Sequence, residues 1–232
     1  MVLQQKKDIQ LWGTDAAGVK INVISSWGET AKTSTSENGK WKLKLTTPIA
    51  GGPHAITING SSTVTIDDVL IGEVWVCSGQ SNMQVPLSGG LDGNFIEGGL
   101  DAIVNSKNDR IRFFTVKQNA RLKPLDNIKG KWKKADPSTS GTFSAVGYFF
   151  AQQLEKVLNV PIGIIVTAWG SSSVEAWTDP FTLNDLGLES PEKMAEMKQQ
   201  TPSVLYNAMM YPLIGFGIKG VLWYQGEANV TN

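Results

Sequence analysis

The apolar run Val74-Trp75-Val76-Cys77 is suited to a short buried strand, and Ser78-Gly79 ends it at once by forcing a turn. Ser81 follows within the first residues after that strand, where side chains reach the rim of a parallel sheet. A serine at that rim, followed by backbone N–H groups that can meet an oxyanion, has the geometry a serine esterase needs. The bland reading of the same residues is a polar turn after a buried strand, and a lone Gly-x-Ser does not separate the two.

The pattern on either side of this strand differs. Residues 1–68 read as short strands cut by turn residues. Lys20-Ile21-Asn22-Val23-Ile24 alternates, and so do Trp41-Lys42-Leu43-Lys44-Leu45 and His54-Ala55-Ile56-Thr57-Ile58. Asn38-Gly39 predicts a tight hairpin, Ala50-Gly51-Gly52-Pro53 another turn, and Asn59-Gly60 a third. Such spacing predicts a small β-sandwich or jelly roll, with Asp67-Asp68 as its junction to a second domain. Trp12, Trp27 and Trp41 are candidates for stacking on sugar rings, but the alternation around Trp41 favours packing inside the sandwich.

Residues 69–232 alternate strands with helices, which predicts a parallel α/β sheet. Ile111–Val116 is a second strand, and Lys117–Lys134 is polar and irregular. Ser144–Leu158 is the clearest helix, with Val146, Phe149, Phe150, Leu154, Val157 and Leu158 on one stripe. Ile162–Val166 is a buried strand leading to Thr167-Ala168-Trp169-Gly170, where a glycine would let its N–H approach an oxyanion. Ser190-Pro191-Glu192 has the signature of a helix start, predicting a helix to about residue 200. Leu205–Leu213 is a further helical segment, and Ile218–Tyr224 is a third strand, delivering Gln225 and Glu227 to the same rim. The glycines of Ser88–Gly93 form a loop near the mouth of the site.

Charge excludes some partners. The chain has 21 basic and 21 acidic residues, so no basic field draws in nucleic acid or an anionic membrane. No apolar run approaches the ~20 residues of a membrane span. The lone Cys77 excludes an internal disulfide and is expected to be a small buried apolar residue. No Cys/His cluster suggests zinc, and the proposed chemistry calls for no metal or cofactor. No leader-like segment opens the sequence at Met1-Val2-Leu3.

The string Gly72–Met83 resembles the first block of the sialate O-acetylesterases, members of the SGNH (GDSL-like) hydrolases related to acetylxylan esterases. Trp169-Gly170 with Glu175-Ala176-Trp177 resembles the second block, and Leu205–Met209 with Gly220–Asn229 the third. The resemblance implies a flavodoxin-like three-layer esterase domain over residues 69–232, preceded by the small β domain of residues 1–68. It implies cleavage of an acetyl ester on a sugar, foremost 9-O-acetylated sialic acid, with acetylated xylan or other glycans as the alternative. Ser81 would be the nucleophile, and the oxyanion would be held by the N–H groups of Ser81 and Gly170 and the side-chain amide of Gln225. Gln80, Asn82, Glu175, Trp177, Glu227 and Asn229 are candidate substrate-binding residues. It also implies a secreted, periplasmic or lysosomal protein.

The sequence departs from the family in one respect. An esterase serine needs a base, usually histidine. The only histidine, His54, lies in the β half, and no Asp-x-x-His motif occurs. The expectation is therefore a catalytic domain lacking its C-terminal part, its base coming from another segment or a second polypeptide, with a strand edge and apolar surface left open. The alternative is Glu227 as a substitute base. A reading of another class is a carbohydrate-binding protein without catalysis.

Overall fold

A computed structural model describes residues 1–90, 95–188, 191–196 and 198–230. The N-terminal strands are β1 (Val2–Gln4), β2 (Asp8–Thr14), β3 (Lys20–Ser25), β4 (Thr30–Ser34), β5 (Lys40–Thr46) and β6 (Gly51–Asn59). The strand β7 (Thr63–Gly79) follows, then the short helices α1 (Ser81–Gln84) and α2 (Gly99–Val104) and the strands β8 (Asn108–Thr115) and β9 (Trp132–Ala135). The helix α3 (Ala145–Leu158), β10 (Ile162–Ala168), α4 (Pro180–Asp185), β11 (Gly220–Tyr224) and α5 (Glu227–Val230) complete the order.

One strand, β7, holds the molecule together over 17 residues. Its first half pairs antiparallel with β6, and Val2–Gln4 of β1 run parallel to Leu70–Gly72. Its second half is flanked by β10 on one side and β11 on the other, both parallel. The result is one nine-stranded mixed sheet, with β2 and β5 forming a separate two-stranded layer. The expected sandwich is thus not closed off: β7 carries its strands into the parallel sheet. Asp67 and Asp68, expected as a junction, lie inside β7, where Asp68 takes a positive φ of 54°.

The β layers nevertheless enclose a core as the alternation predicts. Trp41, Leu43 and Leu45 of β5 point inward against Ile21, Val23, Ile56, Val69 and Ile71, while Lys42 and Lys44 point out. The Asn38-Gly39 turn forms, with Gly39 at φ 75°, but it does not close a ladder between its own strands. β4 pairs with β3, and β5 pairs with β2, so the turn crosses between layers. Residues 51–53, expected as a turn, belong to β6, whose pairing with β7 is irregular there. Trp27 donates to the Thr46 carbonyl at 3.0 Å and meets His54 edge-on, a packing role.

In the parallel half, β10 is buried along its whole length because both faces are covered. One face packs against α3 through Phe113, Tyr148, Ala151 and Ile164; the other packs against Trp177, Val204, Leu205 and Met209. Ser144 caps α3, its Oγ accepting from Gly147 N at 3.2 Å. The expected stripe holds in part: Val146, Phe149, Phe150 and Leu154 pack against the core, but Val157 is 77% exposed, and the buried positions are Ala145, Gly147, Tyr148 and Ala151. The small residues let the helix approach the sheet closely.

Three further differences come from tertiary context. Trp132–Ala135, expected as irregular, pairs with β8, where Trp132 packs on Phe114. Residues 191–196 form no helix, and only Lys198–Gln200 makes a 3-10 turn; Ser190 lies outside the described residues, as do residues 91–93 of the glycine-rich loop. Leu205–Leu213 is helical but as a π-helical turn, Tyr206–Met210, followed by a 3-10 turn, Tyr211–Leu213. Among the described residues β11 pairs only with β7, and its Val221, Trp223 and Tyr224 are about half exposed. No helix among them is long and apolar enough to cross a membrane.

Candidate active site

Three strands end level with one another. Gly79 of β7 is in register with Ala168 of β10 and with Tyr224 of β11. The main chain ties these ends together: Trp169 N donates to Gly79 O, and Gln80 N donates to Tyr224 O, both at 3.0 Å. Gly79 permits this junction. Its φ is 140°, and a Cβ there would collide with the Tyr224 carbonyl oxygen. Ser81, Gly170 and Gln225 each follow one of these ends by one or two residues, so all three lie at the C-terminal edge of the parallel strands.

Ser81 is the exposed first residue of α1, with no side-chain hydrogen-bond partner among the described residues. It lies beside Gly170, since a Cβ built on Gly170 would stand 3.6 Å from Ser81 Cβ. That is ordinary contact, so the protein around Gly170 leaves room for a side chain. The Gly170 N–H is already engaged, donating to Gln84 Oε1 at 2.7 Å.

The other candidates form one connected network. Gln80 is buried, and its Oε1 accepts from Gly226 N at 3.3 Å and Ala228 N at 3.2 Å, which fixes the turn after β11. Asn82 Nδ2 donates to Glu227 Oε1. Gln225 Nε2 donates to Ser172 O at 3.1 Å and to Asn229 Oδ1 at 2.7 Å, so both of its donors are taken. Asn229 Oδ1 also accepts from Val174 N at 3.0 Å, and its Nδ2 donates to both carboxylate oxygens of Glu175 at 3.1 and 3.0 Å. Burial pushes the Glu175 carboxyl upward, but hydrogen bonds from Asn229, its own backbone and Ser173 outweigh that and hold it below its ordinary value. Trp177 is buried; its indole donates to Ser172 Oγ at 2.8 Å, and its ring meets Trp223 edge-on. Ser172 and Trp223 thus hold its ring in place.

Two participants carry no clear mark in the sequence. Ser172 holds Trp177 and Gln225 together, and Gln84 occupies the Gly170 amide. The one available signal for Gln84 is its position three residues after Ser81, on the same helical face.

His54 is remote from this rim. It pairs with Val69, ten residues before Gly79 on β7, or about 33 Å of strand. Its ring bonds Ser26 Oγ at 3.3 Å. Cys77 is fully buried, and burial pushes its thiol up to about 12, which keeps it inert. Among the described residues no three His, Cys, Asp or Glu side chains cluster closely enough to hold a metal ion.

Comparison with known proteins adds an independent line. A family profile described as "Carbohydrate esterase, sialic acid-specific acetylesterase" matches residues 71–232. The human sialate O-acetylesterase is 29% identical over 253 residues, covering 100% of this chain and 47% of that protein. The rat sialate O-acetylesterase is also 29% identical, over 280 residues, with 51% of its length covered. A crystal structure of a carbohydrate acetylesterase from Xanthomonas citri superposes with a TM-score of 0.88 at 37% identity, covering 98% of this chain and 49% of that one. The chain thus spans about half the length of the relatives it matches.

Proposed function

The chain belongs to the sialic acid-specific acetylesterase family of carbohydrate esterases, and from that membership we propose that it carries the nucleophile centre of a carbohydrate O-acetylesterase. The observation that carries the reading is the placement of exposed Ser81 against Gly170 at the level ends of β7, β10 and β11.

In this reading Ser81 Oγ attacks the acetyl carbonyl carbon, a base takes the hydroxyl proton, and the carbonyl electrons move onto oxygen. The Ser81 and Gly170 N–H groups meet that oxyanion. Gln225 joins them only by giving up Ser172 O or Asn229 Oδ1. Collapse breaks the bond to the sugar oxygen, which leaves as the protonated hydroxyl, and water then releases acetate from Ser81. Each oxyanion donor is worth on the order of 100- to 1000-fold in rate. The distance of His54 along β7 and the tie of Glu227 to Asn82 support a base from outside these residues, supplied by a further segment or a second polypeptide.

The finer fold belongs to the same proposal. Residues 69–232 form an SGNH-type, flavodoxin-like three-layer unit, supported by packing on both sheet faces, and residues 1–68 form a small β-sandwich unit joined to it through β7. The substrate is an O-acetylated sialic acid, by analogy with the human and rat relatives, and the protein works in a secreted, periplasmic or lysosomal setting. Acetate release by the intact protein from 9-O-acetylated sialic acid, measured beside acetylated xylan, tests the substrate. Preference for the sialic acid supports this assignment, and preference for xylan replaces it. A second reading, glycan binding without hydrolysis, draws on the engaged state of the Gly170 and Gln225 donors. Glycan binding by an intact protein that releases no acetate would favour it.

A further inference from the structure

Gln84 is the last residue of α1, three positions after Ser81, and its side chain is solvent-exposed. Its Oε1 accepts the Gly170 N–H at 2.7 Å. A Cβ built on Gly170 would stand 3.5 Å from that oxygen and 3.6 Å from Ser81 Cβ. The amide oxygen of Gln84, the Gly170 backbone and the Ser81 side chain therefore share one small volume. No other hydrogen bond holds the Gln84 side chain among the described residues.

We infer that Gln84 caps the oxyanion site, its side-chain carbonyl holding the Gly170 N–H until the acyl oxygen of a substrate displaces it. The inference rests on the esterase reading of Ser81. The chemistry fits a stand-in. A side-chain amide presents a planar carbonyl oxygen, as an acetyl ester does, and one N–H makes one good hydrogen bond. The cap gives the Gly170 N–H a protein acceptor in place of water, a bond of modest net worth that a substrate can replace. It yields to the tetrahedral oxyanion, because a hydrogen bond to an ionised acceptor is roughly twice as strong as one between neutral groups. An exposed side chain at the end of a one-turn helix can swing out without disturbing the sheet. A neutral ester carbonyl competes with it on near-equal terms, so the cap penalises weakly held acyl groups and discriminates between substrates by how well the rest of the molecule is bound.

The test uses the intact protein and 4-methylumbelliferyl acetate, with Ser81→Ala as control. Gln84→Met keeps the length and removes the strong acceptor; the cap predicts that kcat/KM rises about three- to tenfold, the worth of a typical neutral hydrogen bond. Gln84→Glu keeps the length and adds a charged acceptor; at neutral pH kcat/KM should fall about tenfold or more, because the carboxylate holds the N–H and repels the oxyanion. The ratio of this variant to the parent should recover as pH falls through about 4. A purely structural role would not give opposite signs for two side chains of equal length. Ser81-dependent turnover that Gln84→Met lowers or leaves unchanged overturns the cap alone. Turnover that survives Ser81→Ala, or that is absent even with the segment or polypeptide bearing the base present, overturns the esterase reading on which it stands.

Discussion

Asn229 accepts the Gln225 side-chain amide at 2.7 Å while both oxygens of Glu175 grip its own amide nitrogen, at 3.0 and 3.1 Å. Glu175 thus fixes the Asn229 rotamer, and Asn229 fixes Gln225. A hydrogen bond to a charged group is worth about 1.5–3 kcal/mol, so Glu175→Ala should lower kcat about 10- to 100-fold by releasing Gln225. Steady-state kinetics check this, with circular dichroism confirming the fold. An unchanged kcat would show that Gln225 needs no such support.

The same carboxyl makes a pH prediction. Its folded value lies below the ordinary 4.5, with burial opposing and the Asn229 bonds prevailing. A lowered value stabilises the fold fully above the unfolded pKa and loses that contribution as pH falls through the folded one. The thermal stability gap between the parent and Glu175→Gln should therefore be constant above about pH 5.5 and close below 4.5, the ordinary value. A gap that widens on acidification would reverse the sign and refute the assignment.

Arg112 of β8 ties Asp68, in the middle of β7, and the N-terminal residue to the parallel half of the sheet. Its side chain is 3% exposed and contacts Asp68 Oδ1 at 2.7 Å, the Asp68 carbonyl at 2.5 Å, and the carbonyls of Asp109 at 3.1 Å and Met1 at 3.3 Å. Arg112→Met strips several acceptors of their donor at once and should cost about 2–4 kcal/mol. Urea denaturation measures it, and a loss under about 0.5 kcal/mol would mean that the carbonyls find other partners.

Two glycines at the rim should respond differently. At Gly79 a Cβ would collide with the Tyr224 carbonyl and take a strained φ, so Gly79→Ala should cost about 2–4 kcal/mol and shift β11 with its Gln225. At Gly170 the same methyl finds ordinary contacts, so Gly170→Ala should fold normally. Paired melting curves decide, and equal destabilisation would undo the distinction.

The contrast shows what was legible before the structure. Val74–Cys77 marked the strand that leads to the rim, because a buried apolar run is written in consecutive residues; Ser78-Gly79, expected as its turn, instead continue the strand in register with β10 and β11, since the pairing on both sides extends through them. The β5 alternation is local in the same way. The 17-residue run of β7 was hidden because its two halves pair with different partners, and Asp67-Asp68 in the middle imitates a linker. The apolar stripe of α3 is legible through Val146, Phe149, Phe150 and Leu154, but its most buried positions are not, because Gly147 and Ala151 pack by being small, which leaves little apolar signal. Gln84 and Ser172 act through hydrogen bonds to residues distant in the chain, which no periodicity records.

The central claim is that Ser81 is the nucleophile of this rim, and covalent labelling tests it most directly. The intact protein is treated with a fluorophosphonate, and the modified peptide is located by mass spectrometry. The account predicts one label, on Ser81, and loss of both label and acetyl ester hydrolysis in Ser81→Ala with little change in melting temperature, since the side chain is exposed and unpartnered among the described residues. Label on another residue, or full hydrolysis by Ser81→Ala, would contradict it.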